Sequence, residues 1–264
     1  MKSHLWQIFI KVFFPTRCLV CRKFYHHETL APAGSSEPFA VNFGTFICPV
    51  CAGKITFIKS PLCLLCGVPF ENQEGEDHVC GKCLTNSRKF GKARSLGAYD
   101  LTLKATILSL KYQGKTRLAG PLGTLLWQTF LQYWDCASID LIIPVPLHAK
   151  RFRSRGFNQA YLLIQEWQFI KKNHGIDSRK LIVDTDILIR QKYTLPQTGL
   201  KQKERQSNVR NAFKIVNSVN LKGKTILLVD DVFTTGATVN ECARVLLKSG
   251  AENVDVLTLA RSII

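Results

Sequence analysis

The chain has 264 residues, of which 46% are hydrophobic, so it can bury a substantial core and is not an intrinsically disordered protein. Its formal net charge is +17, from 36 Lys and Arg residues against 19 Asp and Glu residues. An excess of this size favours anionic partners such as nucleic acid, phosphorylated metabolites or lipid surfaces, without choosing among them. Residues 91–264 carry +13 of this charge and residues 1–90 carry +4, so most of it lies in the second region.

The first fifteen residues are predicted to form a short amphipathic helix. Their apolar part, Leu5 to Phe14, is interrupted by Gln7 and Lys11 and is about half the length that a transmembrane helix needs. The apolar side chains share one face at helical spacing. We therefore expect a helix over residues 1–15 that packs on the protein's own body, with a membrane surface as the alternative, and no transmembrane segment.

Eight of the ten cysteines form four Cys-x-x-Cys pairs within a predicted first domain, residues 16–86. In a chain without a secretion signal, such pairs indicate zinc in a reducing cytoplasm rather than disulfides. Two thiolates that are two residues apart hold one tetrahedral ion from a tight turn, so two pairs complete one site. We predict one or two structural Zn²⁺ ions in a cytoplasmic protein. The predicted ligands are Cys18, Cys21, Cys48, Cys51, Cys63, Cys66, Cys80 and Cys83.

The two predicted zinc sites differ in their spacing. The second is compact, because 13 residues separate Cys66 from Cys80. The first spans a longer loop, which leaves a crossed pairing or the loss of the first metal as alternatives. His26, His27 and His78 are alternative ligands, and a redox role is the alternative for the pairs as a whole.

From Lys92 onward the sequence alternates short apolar runs with amphipathic helices. This alternation predicts βαβ units and therefore an α/β domain with a mostly parallel sheet over residues 92–264. We also expect this domain to fold without the cysteine-rich region. The predicted elements are a strand over Leu96–Tyr99, helices over Leu101–Tyr112 and Pro121–Trp134, a strand over Asp140–Leu147, a helix over Phe157–Asn173, a strand over Thr225–Val232, a helix over Ala237–Ser249 and a strand over Val254–Ala260.

The segment from Ile226 to Thr238 combines an apolar strand, two carboxylates and a loop that opens a helix. A strand of a parallel sheet ends where ligands bind, so Asp230 and Asp231 emerge where they can accept hydrogen bonds from the vicinal hydroxyls of a ribose. The following loop can direct backbone N–H groups and hydroxyls at a phosphate. The alternative is that the acidic pair only caps and the loop only turns. The loop residues are Thr234, Thr235, Gly236, Ala237 and Thr238.

This segment resembles the motif with which type I phosphoribosyltransferases bind phosphoribosyl pyrophosphate (PRPP), two acidic residues followed by Thr-Thr-Gly-x-Thr. The resemblance implies that Asp230, Asp231 and the loop bind PRPP together with Mg²⁺. If transfer occurs, the acidic pair is the catalytic candidate, because it would hold the ribose and stabilise the positive charge that develops as pyrophosphate leaves.

Four cations follow the predicted strand over Asp140–Leu147 and face the same crevice as the acidic pair. They suit a pyrophosphate, which Arg and Lys neutralise through charge-assisted hydrogen bonds, or else a nucleic acid. Phe152 and Phe157 lie among them and are either base-stacking groups or core residues. The basic segment is predicted to be a loop, and Asn158 and Gln159, at the start of the next helix, are expected to orient it. The four cations are Lys150, Arg151, Arg153 and Arg155.

Together with the motif and the cysteine pairs, four further segments resemble the competence protein F family. They are Asp140 to Gln159, Leu195 to Leu200, Glu204 to Phe213 and Leu257 to Arg261. The resemblance covers nearly the whole chain from Cys18. It implies a type I phosphoribosyltransferase fold behind a double zinc ribbon, and a cytoplasmic role in handling incoming single-stranded DNA in naturally transformable bacteria, with other DNA-uptake proteins as further partners.

A polar, basic stretch lies where phosphoribosyltransferases often have a flexible lid. Gln197, Arg205 and Asn208 are the lid candidates, and an ordinary exposed helix is the alternative. Arg205 and Asn208 match an Arg-x-x-Asn pattern of the competence family.

Three functions are compatible with the sequence. The leading hypothesis is a PRPP-binding, phosphoribosyltransferase-like protein that acts on or with single-stranded DNA during DNA uptake. The alternatives are a small-molecule nucleobase phosphoribosyltransferase of nucleotide salvage, and a regulatory protein that senses PRPP without turning it over. The sequence does not locate a nucleobase pocket and leaves open whether the protein is an enzyme.

Overall fold

A computed structural model of the protein describes residues 16–25, 46–72, 74–173, 181–194, 202–216 and 220–263. The helix predicted over residues 1–15, the alternative ligands His26 and His27, and the lid candidate Gln197 lie outside the described residues. Within the described ranges, every helix falls short of the length or the apolar content that a membrane crossing requires.

Five strands form a parallel central sheet in the order β3 (Ala93–Ala98), β9 (Asn253–Arg261), β8 (Thr225–Phe233), β4 (Leu141–Pro144) and β5 (Ile182–Val183). This confirms the predicted α/β fold. The strand predicted over Asp140–Leu147 ends early, at Pro144, because the prolines of this segment lack the N–H that a ladder needs. The strands of the described residues are β1 (Thr16–Arg17), β2 (Phe24–Tyr25), β3 (Ala93–Ala98), β4 (Leu141–Pro144), β5 (Ile182–Val183), β6 (Leu188–Arg190), β7 (Phe213–Ile215), β8 (Thr225–Phe233) and β9 (Asn253–Arg261).

The α-helices of the described residues are α1 (Pro49–Ala52), α2 (Gly81–Thr85), α3 (Leu101–Tyr112), α4 (Ala119–Tyr133), α5 (Ala149–Arg155), α6 (Gln159–Ile164), α7 (Trp167–Asn173), α8 (Gln202–Val209) and α9 (Ala237–Lys248). Helix α3 has its predicted bounds, and α4 and α9 agree with prediction to within two residues. The single helix predicted over Phe157–Asn173 is wrong, since α6 and α7 replace it. Directly after the break, Trp167 Nε1 donates to Gly123 O at 3.1 Å, a tertiary contact that periodicity cannot reveal.

The side chains of β8 alternate between two hydrophobic cores. Leu227 and Val229 join the core that contains α3, α4 and α6, whereas Ile226 and Leu228 join the core that contains α9. Three cysteines of the first two pairs, Cys18, Cys48 and Cys51, belong to the former core, and the last two pairs lie in or against the latter. Each face of the sheet is therefore covered by helices and by one half of the cysteine-rich region.

A second, antiparallel pair of strands stands beside the sheet. β6 pairs with β7, and a bridge between His148 and Arg190 connects β6 to the segment that follows β4. Between β6 and β7 in the chain, α8 packs on α9. The lid candidates Arg205 and Asn208 lie on α8 and are half-buried, and their role in a lid stays a prediction.

The cysteine-rich region pairs directly with strand β3. Ala98 N donates to Thr56 O at 2.8 Å, and Ala93 N donates to Leu65 O at 2.7 Å. The outer edge of β3 is thus covered by residues that precede it in the chain, with β9 on its other side. These contacts argue against the expectation that a domain beginning at Lys92 folds by itself, because its edge strand would be left uncovered.

Candidate active site and metal centres

The acidic pair lies near the carboxyl end of β8, and the strand continues two residues beyond it to Phe233. Because successive strand residues point to opposite faces, the two carboxylates diverge. Asp231 faces α3, where its Oδ2 lies 2.8 Å from Lys111 Nζ. Asp230 faces the other side, where its charge acts on Arg190 and on the buried thiol of Cys242. The two carboxylates therefore point to different sides of the strand and do not bind a single group together.

Lys111 is a site residue that the sequence analysis missed. It lies in the last turn of α3, and its side chain is only 18% exposed, against 5% for Asp231. Burial opposes its charge, but the carboxylate of Asp231, together with that of Asp230, outweighs burial and raises the pKa of Lys111 above its ordinary value. Asp231 consequently has a cationic partner before any ligand arrives. The only signal in the sequence was a single lysine at the end of a largely apolar helix.

Asp230 carries the less favourable charge of the pair. Burial, and then the neighbouring Asp231, raise the pKa of Asp230 to about 7, although Lys111 and Arg190 act in the opposite direction. Its Oδ1 accepts a hydrogen bond from Asp231 N at 2.9 Å. A carboxyl group that changes its charge near neutral pH, beside two cations, is a candidate functional group.

The predicted phosphate loop, residues 234–238, joins β8 to α9. Gly236 caps the helix with φ at 77°, and a Cβ at this position would lie 2.6 Å from the Phe233 ring, so a side chain does not fit. Thr235 Oγ1 accepts from Ala237 N at 3.4 Å. The backbone N–H groups of the first turn and the positive dipole end of α9 therefore meet at this loop, an arrangement that suits a phosphate.

The four cations of the predicted pyrophosphate loop lie on a helix, α5, so the expectation of a loop is wrong. The sequence of this segment consists largely of good helix formers, and both ends of the helix are capped. Arg151 and Arg155 are one turn apart and half-buried, whereas Lys150 and Arg153 are exposed. The helix thereby divides the set into an inner and an outer pair.

The inner cation Arg151 meets a second arginine, Arg190, at Thr194. Arg151 Nη2 donates to Thr194 O at 3.0 Å, and Arg190 Nη2 donates to Thr194 Oγ1. The charge of Arg190 also acts to lower the pKa of Asp230, so Arg190 lies near this carboxylate, and Arg151 is connected to Arg190 through Thr194. Sequence analysis missed Arg190 because it lies on the short strand β6, which no motif marks.

Exposed aromatic rings lie beside the cations of α5. Tyr112 is 72% exposed, and Phe152 and Tyr193 are each 49% exposed. Arg155 Cζ lies 5.3 Å from the centroid of the Tyr112 ring, and Lys150 Nζ lies 5.4 Å from that of Tyr193. Tyr112 follows Lys111 in the chain and Tyr193 precedes Thr194, so both tyrosines lie on segments that contribute residues to the site. We call this surface the aromatic–basic strip; it consists of Tyr112, Lys150, Arg151, Phe152, Arg155 and Tyr193.

The residues that follow α5 hold it in place. Phe157 packs against the core that contains α3, α4 and α6, so it is a core residue and not a base-stacking group. Asn158 Nδ2 donates to Val145 O at 3.1 Å, and Gln159 Oε1 accepts from Arg155 Nη1. These contacts orient α5 against β4, as expected for Asn158 and Gln159.

The eight paired cysteines form two clusters with the predicted pairing, and in each cluster the four Sγ atoms lie within 4.8 Å of one another. Tetrahedral zinc with Zn–S bonds of about 2.3 Å separates its ligands by about 3.8 Å. The Sγ atoms of Cys21 and Cys48, and those of Cys66 and Cys80, are 3.8 Å apart. Each cluster fits one structural Zn²⁺, and a crossed pairing is excluded. The clusters are Cys18, Cys21, Cys48 and Cys51, and Cys63, Cys66, Cys80 and Cys83.

Backbone amides point at the cysteine sulfurs. Cys63 Sγ accepts from Cys80 N at 3.3 Å and from Cys66 N at 3.4 Å. Although burial opposes the charge, backbone donors lower the pKa of Cys63, and likewise that of Cys18, to about 6. The thiolate is the form that binds metal. His78 belongs to neither cluster, so the alternative that it replaces a cysteine ligand is wrong.

Two family models match the chain. Residues 9–84 match the double zinc ribbon domain, and residues 176–263 match the phosphoribosyl transferase domain. The first match contains both cysteine clusters, and the second contains β8, the acidic pair and the phosphate loop.

Several bacterial proteins are similar over most of the chain. Competence protein F from Haemophilus influenzae is 33% identical over 236 residues, which cover 84% of this chain and all of that protein. DNA utilization protein YhgH from Escherichia coli K12 is 31% identical, with 82% of this chain and 91% of that protein covered. Competence protein ComFC from Bacillus subtilis is 28% identical, with 82% and 84% covered.

Proposed function

Since the chain belongs to the competence protein F family, we propose that it binds PRPP at the end of β8 and acts on or with single-stranded DNA during DNA uptake. The observation that carries the PRPP part is the order of a buried strand, two carboxylates, a Thr/Gly loop and a helix N-terminus. The names of the relatives, two competence proteins and a DNA utilization protein, support the DNA part. A cytoplasmic location, where the zinc thiolates stay reduced, belongs to the same proposal.

In this proposal different residues of the site bind different parts of PRPP. The phosphate loop takes the 5′-phosphate, and Asp230 accepts the ribose hydroxyls. Arg151 and Arg190 neutralise the pyrophosphate, and Mg²⁺ bound together with PRPP would add further positive charge. Asp231 is held by Lys111, which limits the repulsion between the two carboxylates. If transfer is catalysed, the acidic pair stabilises the positive charge at the anomeric carbon while the cations accept the departing pyrophosphate.

Single-stranded DNA is proposed to bind along the aromatic–basic strip. Exposed rings stack on bases of any sequence, and neighbouring cations contact the phosphates. The strip has both components, with cations 5.3 and 5.4 Å from two exposed tyrosine rings. Because both tyrosines lie on segments that contribute residues to the site, a nucleotide stacked on Tyr112 or Tyr193 would lie near bound PRPP. Sequence analysis had named Phe152 but neither tyrosine.

Calorimetry with PRPP and Mg²⁺ tests the first half of the proposal. The wild-type protein should bind, and Asp230→Asn should lose at least about 1.4 kcal/mol, which is tenfold in affinity. Asp231→Asn should lose a comparable amount for a different reason, since it leaves the buried Lys111 ammonium without its partner. Equal affinity in all three proteins would remove the acidic pair from the ligand site.

A salvage enzyme remains the rival function, and product formation separates the two. Incubation with PRPP, Mg²⁺ and a panel of nucleobases should release no more pyrophosphate than incubation with PRPP and Mg²⁺ alone. Base-dependent release that is abolished by Asp230→Asn would favour the small-molecule phosphoribosyltransferase instead. PRPP binding without release under any condition, and without affinity for single strands, would favour a PRPP sensor.

A further inference from the structure

The second cysteine cluster lies directly behind the phosphate loop, and two separate connections join them. One runs through Arg261, the last residue of β9. The other runs through residues 88–90, the segment that follows the last ligand, Cys83. Both connections end on the loop or on the ring that supports it.

Arg261 connects the cluster to the ring beneath the loop. Its Nη1 donates to Cys66 O, and its Nη2 donates to Cys66 Sγ at 3.4 Å. Its Cζ lies 4.5 Å from the centroid of the Phe233 ring, and the arginine itself is only 6% exposed. That ring packs against Gly236, where an added Cβ would lie 2.6 Å away. The guanidinium group is therefore held between a cysteine ligand and the floor of the phosphate loop.

Residues 88–90 hold the loop from its other side. Arg88 Nη1 donates to Thr235 O at 3.1 Å, and Lys89 N donates to Asn240 Oδ1 at 2.8 Å, in the first turn of α9. Phe90 packs edge-to-face on Phe233 with the ring centroids 5.9 Å apart. Three successive residues thus contact the loop, the helix that follows it and the supporting ring. Their position in turn depends on Cys83, five residues earlier in the chain.

We infer that the second zinc cluster positions the phosphate loop, with Arg88 and Arg261 as the positioning residues. A phosphate site built from backbone N–H groups needs its donors fixed in advance, because any ordering on binding subtracts from the affinity. With zinc bound, the second cluster holds Cys66 and Cys83 in fixed positions. Cys66 in turn positions Arg261, and Cys83 positions Arg88. By linkage, whatever stabilises the loop also stabilises the metal cluster. The identity of the ligand, PRPP, rests on the proposed function. The coupling between the zinc cluster and the phosphate loop rests on the contacts of Arg88 and Arg261.

Hydrogen exchange of the backbone amides at residues 233–240 tests this inference without any ligand. In Arg261→Met and Arg88→Met these amides should exchange at least about fivefold faster than in the wild-type protein. The zinc content should remain that of the wild type, since no cysteine is altered. Arg94→Met is the matched control. Arg94 is similarly buried and donates to Leu64 O, between the ligands Cys63 and Cys66, at 3.1 Å. Its guanidinium group, however, lies over Tyr133 instead of Phe233.

The control should leave exchange at the loop unchanged. Arg88 is half-buried, so its variant keeps the test valid if Arg261→Met fails to fold. With PRPP and Mg²⁺ present, release of zinc to a chelator should slow in the wild type and not in Arg261→Met, a difference that general loss of stability would not produce. Wild-type exchange at the loop in both zinc-loaded arginine variants would overturn the inference. Failure of the wild type to bind PRPP would overturn only the proposed function, because the exchange measurement needs no ligand.

Discussion

Asp230 and Asp231 illustrate a conflict between folding and ligand binding at a single pair of residues. Two carboxylates in a crevice are costly, because burial and mutual repulsion both disfavour their charges. Lys111 relieves Asp231 at 2.8 Å, whereas the pKa of Asp230 stays raised at about 7. A neutral side chain at position 230 would avoid this cost. The retained carboxylate therefore suggests a ligand that needs it.

Asp230→Asn should stabilise the protein at alkaline pH by at least about 1 kcal/mol of unfolding free energy, the equivalent of one pKa unit. Native Asp230 holds its proton up to a pH of about 7, whereas the unfolded chain releases it near 3.8. Native protein therefore binds more protons over this window, and wild-type stability falls as the pH rises from about 4 to about 7 relative to the variant. Denaturant titrations of both proteins from pH 4 to pH 8 measure the difference. A variant that is less stable than the wild type at pH 8 would contradict the raised pKa.

The residues that the sequence could identify were those with a local pattern. Asp230, Asp231 and residues 234–238 follow one another along the chain, and so do the cysteine pairs. Lys111 and Arg190 are brought to the site by α3 and β6, far from the motif in sequence. Their roles depend on which faces of the sheet these elements cover, and that is decided by tertiary packing.

At the scale of elements, α5 and the segments around it present the surface proposed for DNA. A loop was predicted here, and the helix changes the meaning of the basic residues. It turns Arg151 and Arg155 inward and leaves Lys150 and Arg153 facing solvent. It also exposes Phe152. The cations therefore need not all serve one ligand: Arg151 is bonded to Thr194 beside Arg190, whereas Lys150 and Arg155 lie against the exposed tyrosine rings of the strip.

Replacing both Tyr112 and Tyr193 with alanine should weaken the binding of single-stranded DNA at least about fivefold, because each stacked base contributes about 1–3 kcal/mol. Filter binding across a salt series measures this. If phosphate contacts dominate, the affinity should also fall by about 0.7 log units per contact for each log unit of salt. Phe169→Ala is the control, since this ring on α7 is 67% exposed and lies outside the strip. An equal loss in the control, or no retention of single strands at low salt, would remove the strip as the DNA surface.

At the scale of the whole molecule, the zinc ribbons and the transferase fold share both hydrophobic cores. Cys18, Leu19 and Ile47 lie in the core of α3 and α4, and Cys63 and Cys66 lie in that of α9. The sequence predicted the two cysteine clusters and the parallel sheet, because cysteine spacing and strand–helix alternation are local signals. It could not predict that the regions pack together, since contacts such as Arg88 to Thr235 join residues 147 positions apart.

A chain truncated to begin at Lys92 should fail to show a cooperative thermal transition, because the edge of β3 and parts of both cores would become exposed. The full-length protein, purified under reducing conditions, should contain two zinc ions per chain by elemental analysis, and should unfold in one transition. Circular dichroism on heating compares the two. A truncated chain with a sharp transition and unchanged PRPP affinity would show that the transferase region is independent of the ribbons.

The central claim, a PRPP site at the end of β8, is tested most directly by a crystal structure of the full-length protein with PRPP and Mg²⁺. The account predicts that the 5′-phosphate lies on the backbone N–H groups of residues 234–238, with the ribose hydroxyls within hydrogen-bond distance of Asp230. The pyrophosphate should lie toward Arg151 and Arg190. Ligand density at any other part of the surface, or a crevice that contains no PRPP at saturating concentration, would contradict it.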